Sequence, residues 1–164
     1  MRKKITTISE EGFSVIELMV VVGIVGFLAS IVIPNFVALT GKAEVGVVAQ
    51  HLRTFEDGFR AYSLADENAG FPDDFHLPGE THLPAGLGLE DFIPVENWAN
   101  RTPLGGFYNW EGPDSYPYAG ISLFNNTATQ EELTQLDKIL DNGDLNTGKF
   151  RRTGNGRYTY ILEE

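Results

Sequence analysis

Glu17 is the first residue whose chemistry needs an explanation. It stands at the start of an apolar run, and no charged residue follows it from Leu18 to Gly41. A carboxylate in a membrane helix costs about 2.5–3.5 kcal/mol at the helix centre on insertion scales, and less near an interface. Such a charge calls for a partner, which makes Glu17 a candidate functional residue. A second set of oxygen donors, Asp137, Asp141, Asn142, Asp144 and Asn146, gathers around Gly143. Oxygen ligands in a loop suit calcium, so Asp141, Asp144 and Asn146 are candidate ligands. Their order lacks the Asp-x-Asp-x-Asp-Gly run and the closing glutamate of an EF-hand loop. The same residues also serve as ordinary turn formers after a helix. His76, Glu80 and His82 lie close together, but Pro78 and Pro84 beside them favour a stiffened loop over a zinc site. No Ser-His-Asp order, phosphate loop or catalytic carboxylate pair stands out, so the chain reads as a non-enzyme.

The bulk composition narrows the classes further. The chain has 164 residues, enough for one soluble domain plus a membrane segment. A net charge of −11 argues against binding to nucleic acid or to an anionic membrane surface. With no cysteine, disulfides and thiol catalysis are excluded. The proline content, concentrated after Gly70, points to a turn-rich C-terminal half.

The elements that must position Glu17 begin with a basic start, Arg2-Lys3-Lys4, followed by Glu10 and Glu11. As a helix, Leu18–Gly41 would extend roughly 36 Å, enough to cross a bilayer. The positive-inside bias places the basic start in the cytoplasm and the C-terminal domain outside. A secretory signal peptide fits poorly, because the run exceeds a normal apolar core and no small-x-small cleavage site follows it.

The run Gly12-Phe13-Ser14-Val15-Ile16-Glu17-Leu18, with a short basic leader before it and an apolar helix after it, closely resembles the N-terminus of type IV pilins and type II secretion pseudopilins. The resemblance implies that a prepilin peptidase cuts between Gly12 and Phe13 and methylates the new N-terminal Phe13. It implies that Glu17 pairs with the N-terminal amine of a neighbouring subunit during assembly, and that Pro34 is the proline that loosens the helix. Glu10 and Glu11 depart from the basic or neutral residues that often precede the glycine. The implied organisation is a leader over 1–12, a transmembrane and assembly helix over 13–41 and a globular pilin-like domain over 42–164. The implied partners are other pilin-like subunits, the peptidase and an inner-membrane assembly platform. The implied location is the bacterial inner membrane, as a single-pass protein with a periplasmic C-terminal domain, and then the filament. Major pseudopilins typically carry a C-terminal calcium site, which adds a motive for the Asp141–Asn146 cluster. Short length, lack of a cysteine pair and acidity favour a secretion pseudopilin. A type IV pilus subunit for adhesion or DNA uptake and a non-polymerising membrane-anchored binding domain stay open as alternatives.

Beyond the apolar run, Val45, Val48, Leu52, Phe55, Phe59 and Tyr62 recur at alternating spacings of three and four, the stripe of an amphipathic helix. The stripe predicts a single helix from about Phe13 to Asp66, ending near Asn68–Gly70 before Pro72. Residues 71–100 read as a loop with a short turn at Glu90–Phe92. Strands are predicted at 106–110 and 118–124. A capping box, Thr129-Gln130-Glu131-Glu132, opens a helix to about Asp141 with Leu133, Leu136, Ile139 and Leu140 facing inward. The segments 149–153 and 157–162 flank Gly154-Asn155-Gly156 as a β-hairpin. His51 reads as surface, and Trp98 and Trp110 as core or subunit contacts. The predicted class is α+β, a long N-terminal helix packed on a small antiparallel sheet.

Overall fold

The computed structural model describes residues 12–65, 70–75, 83 and 88–164. The leader acids Glu10 and Glu11, the predicted helix end at Asn68, and His76, Glu80 and His82 lie outside the described residues. The chain divides into two compact units, residues 1–39 and 40–164.

The first unit is the apolar part of helix α1, whose full extent is Val15–Ala65. It is long and apolar enough to cross a membrane, by length and composition. Pro34 sits inside it, and the helix runs through that position. A proline at 34 deprives the carbonyl of Ser30 of its usual donor. Ser30 and Asn35 lie beside it, but the Ser30 hydroxyl donates to Phe27 O at 2.7 Å and the Asn35 amide to Ile31 O at 3.1 Å. Neither side chain therefore replaces the lost bond.

The second unit is built on the amphipathic part of α1. Val45, Val48, Leu52, Phe55 and Phe59 are fully buried, as the spacing predicts, and Tyr62 is half-buried. Each such side chain contributes roughly 1.5–3 kcal/mol on burial, which offsets the weak helix propensity of Gly46 and Gly58. Gly58 has a reason of its own: a Cβ there would lie 2.6 Å from the carbonyl oxygen of Phe92.

Against this stripe packs a four-stranded antiparallel sheet, β1 (Phe107–Glu111), β2 (Ala119–Phe124), β3 (Phe150–Gly154) and β4 (Arg157–Glu163), in the order β1-β2-β4-β3. Tyr108 and Trp110 of β1, Ile121 and Leu123 of β2, and Tyr160 of β4 face α1. Phe59 stacks on Trp110 with ring centroids 3.8 Å apart, and Phe55 meets Trp98 edge-on at 5.0 Å. Both tryptophans are thus core residues. The β3–β4 hairpin turns at Asn155-Gly156, with Gly156 at φ 69°, as the Gly-Asn-Gly run predicts.

Helix α3 spans Gln130–Leu140 and carries the predicted capping box. Glu132 N donates to Thr129 Oγ1 at 3.3 Å, and Thr129 N to Glu132 Oε2 at 2.7 Å. Leu133 and Leu136 are buried, but Ile139 is exposed, correcting the inward face assigned to it. The fourth inward position is instead Asp137. Between α1 and β1, the turn expected at Glu90–Phe92 appears as a 3-10 turn, Leu89–Asp91, but the reading of the rest of 71–100 as loop is corrected by a short helix α2, Val95–Ala99. Leu89, Ile93 and Trp98 of this segment enter the core. His51 is corrected too: it is half-buried, and its Nδ1 lies 3.1 Å from the Tyr108 hydroxyl.

Candidate functional site

Helix α1 begins with a reciprocal cap that the sequence carries as Ser14-Val15-Ile16-Glu17. Ser14 N donates to Glu17 Oε2 at 2.9 Å, and Glu17 N donates to Ser14 Oγ at 3.3 Å. This is a capping box, with Ser14 as N-cap and Glu17 at the third helical position. The two bonds satisfy donors that a helix start leaves open, and the carboxylate sits where the helix dipole favours negative charge. The signal is legible in the sequence as a Ser-x-x-Glu spacing before an apolar run. Glu17 Oε1 takes no hydrogen bond among the described residues, so half of the carboxylate stays open to a second donor. Phe13, Ile16, Val20 and Val21 surround it with apolar surface, and Phe13 is 87% exposed. Gly12 and Phe13 precede the helix outside any regular element and are exposed.

The second candidate lies after α3. Asp144 is the hub of its loop: Oδ1 accepts from Asn146 N at 3.1 Å and from the Asn146 side chain at 3.0 Å, and Oδ2 accepts from the Thr147 hydroxyl at 3.1 Å. These bonds hold its carboxyl below the ordinary range. Asp141 Oδ2 accepts from Lys149 N at 2.6 Å, tying the loop to the start of β3. Among the described residues, no group of three or more carboxylate or imidazole side chains is already gathered to hold a metal ion.

Asp137 belongs to the oxygen-donor set around Gly143 but is not among the three named ligands. It is fully buried, and neither carboxylate oxygen has a hydrogen-bond partner. The N–H groups of Gly143 and Asn142 approach it without completing a bond. Burial, and after it the charges of Asp141 and Asp144, push its carboxyl up to about 6. The signal in the sequence was an aspartate in the place of a core residue, since Leu133, Leu136, Asp137 and Leu140 share one helix face.

Comparison with known proteins shows what the chain is similar to. Over 112 residues, 66% of the chain, it is 36% identical to type II secretion system core protein G of Klebsiella michiganensis, covering 78% of that protein. Over 102 residues, 57% of the chain, it is 29% identical to type II secretion system core protein G of Escherichia coli (strain K12), covering 70% of it. No family model matches the chain, and no solved structure matches it significantly.

Proposed function

The chain belongs to the pilin and pseudopilin family of type II secretion system core protein G, and we propose that it is a structural subunit of a type II secretion pseudopilus, processed at Gly12–Phe13 and polymerised through α1. The half-open Glu17 carboxylate at the helix start carries this reading. In a lipid environment a bare carboxylate is costly. The amine that cleavage creates on Phe13 of a second copy supplies both a positive charge and N–H donors to Glu17 Oε1, while Oε2 keeps the Ser14 cap.

In this reading prepilin peptidase acts on the cytoplasmic side, an inner-membrane platform handles the subunit, and the C-terminal domain is periplasmic. Residues 1–12 are the leader, 13–41 the assembly helix and 42–164 the globular domain. Pro34 loosens the assembly helix, since the Ser30 carbonyl it deprives gains no side-chain donor from Ser30 or Asn35. The role is structural rather than catalytic. N-terminal sequencing of the mature protein tests processing: an N-methylated Phe13 is expected, and a mature chain that still begins upstream of Gly12 rules the processing out.

A second reading concerns calcium, and Asp137 favours it. A buried carboxylate without hydrogen bonds is unfavourable, and a divalent cation beside it would remove the cost. Asp141 and Asp144 are the residues that would hold the ion beside Asp137, with Asn146 as an amide oxygen donor, once the loop gathers carboxylates that stand apart in this structure.

A further inference from the structure

The globular unit carries complementary surfaces at its two ends. One end is the turn of the β3–β4 hairpin. The strand Arg157–Glu163 starts there and runs roughly 20 Å to the other end. Register places Phe107, Phe124 and Tyr158 at the hairpin end, and Ala119 and Glu163 at the opposite one.

In a chain of net charge −11, the stretch Lys149–Leu162 holds four cations and no acid. At the hairpin end Arg152 is exposed, bonded to Gly154 O and to the Asn155 side chain, and paired with no carboxylate among the described residues. Arg101 lies over the Phe107 ring at 5.3 Å, exposed at the same end. The acid nearest to Arg152 in sequence, Asp144, is occupied by Asn146 and Thr147.

At the opposite end is a groove of about 560 Å³, lined by Phe71, Pro113, Tyr116, Pro117, Tyr118 and Glu163 among others. Tyr116 and Tyr118 stack with centroids 5.6 Å apart. Glu163 is exposed and makes no ion pair among the described residues, although Lys149 and Arg151 line a neighbouring pocket with it; Arg151 is held by Glu164 and Arg60 by Glu56. Aromatic faces with a free carboxylate are the chemistry that receives a guanidinium.

Within one copy Arg157 of the hairpin reaches the Tyr116 hydroxyl, but Arg152 and Glu163 make no pair with each other, and register puts them at different ends of β4. We propose that the Arg152 hairpin of one copy of this chain docks into the Tyr116–Tyr118–Glu163 groove of the next. The contact is heterologous, so it repeats without closing and propagates a filament. It rests on the reading of the chain as a filament subunit and adds a contact between globular units to the one made through α1.

The absence of cysteine makes the test direct. The full chain is given Asn155→Cys and Pro117→Cys and expressed in cells where the wild-type chain polymerises, then treated with a short bis-maleimide. A ladder of dimers, trimers and higher multiples is expected from the double variant, and no cross-link from either single variant. Charge reversal is the second arm: Arg152→Glu and Glu163→Arg should each remove most of the polymer, and the two together should restore it. Normal polymer without a ladder, or a dimer from a single cysteine, overturns the contact while leaving the subunit reading in place. A wild-type chain that polymerises in no host overturns the subunit reading itself.

Discussion

Glu111 on β1 and Arg157 on β4 meet at 2.7 Å across β2, the strand that separates theirs in the sheet. The Glu111 side chain is fully buried and also accepts from the hydroxyls of Tyr118 and Thr159, each at 3.0 Å. Arg157 donates to the Tyr116 hydroxyl at 3.0 Å and keeps 24% of its side chain exposed. The network thus fastens the β1–β2 connection over the sheet face that looks away from α1.

The asymmetry of burial sets the first prediction. Removing one partner of a buried pair typically costs about 3–5 kcal/mol, because the other is left uncompensated. With Arg157→Met the stranded group is Glu111, which has no exposure, and the full cost is expected. With Glu111→Leu the stranded group is Arg157, which can turn to water, and a smaller loss is expected. Denaturant unfolding of both variants checks the order, and equal losses would mean that burial of the glutamate is not what sets the cost.

Glu17 has two roles that substitution can separate. Glutamine is accepted at the third position of a capping box, so Glu17→Gln keeps the bond from Ser14 N but loses the charge. Ser14→Ala does the reverse, costing about 0.5–2 kcal/mol of helix-start stability while leaving the carboxylate. If a neighbour's amine is the partner, Glu17→Gln abolishes polymer and Ser14→Ala reduces it only slightly. Polymer yield in membranes reads both. Loss in Ser14→Ala alone would make the cap, rather than the charge, the essential feature.

His51 sets a pH dependence. Burial lowers its pKa from the ordinary value, so the folded protein resists protonating it. The unfolded chain therefore binds more protons once pH falls below about 6.5, and stability drops with falling pH in that range. Asp137, raised to about 6, acts in the opposite sense, with stability lost as pH rises toward that value. The difference between wild type and His51→Gln isolates the histidine: melting temperatures measured from pH 7.5 to 5.5 should fall less in the variant. Parallel curves would show that the imidazole carries no net linkage.

What the sequence disclosed divides along range of interaction. The stripe from Val45 to Phe59, the Thr129–Glu132 cap and the Asn155-Gly156 turn are local patterns, and each appears where its spacing puts it. Helix α2 is five residues, too short for a periodicity to register, and it exists because Trp98 must reach Phe55 and Phe59. The Glu111–Arg157 pair joins residues 46 apart, and nothing local marks a glutamate in β1 as buried. His51 was misplaced for the same reason: Tyr108, its partner, lies 57 residues away. At the candidate sites, the Glu17 motif was legible because it is contiguous. Asp137 was not, because its meaning depends on the burial of one face of α3.

Calcium gives the last prediction, and Asp137 makes it sharp. At neutral pH an ionised Asp137 is buried with no hydrogen bond, an unfavourable state without a cation. Asp137→Asn removes that charge at nearly constant volume, so the calcium-free variant should melt above the calcium-free wild type. Adding calcium should then reverse the ranking, since only the wild type retains the ligand. A calcium concentration a hundredfold above Kd would stabilise the wild type by about 2.7 kcal/mol, read as a rise in Tm. Asp144→Ala should lose the same gain, along with the bonds it makes to Asn146 and Thr147. If millimolar calcium leaves the wild-type Tm unchanged, the loop is closed by its own hydrogen bonds and Asp137 is an uncompensated core carboxylate.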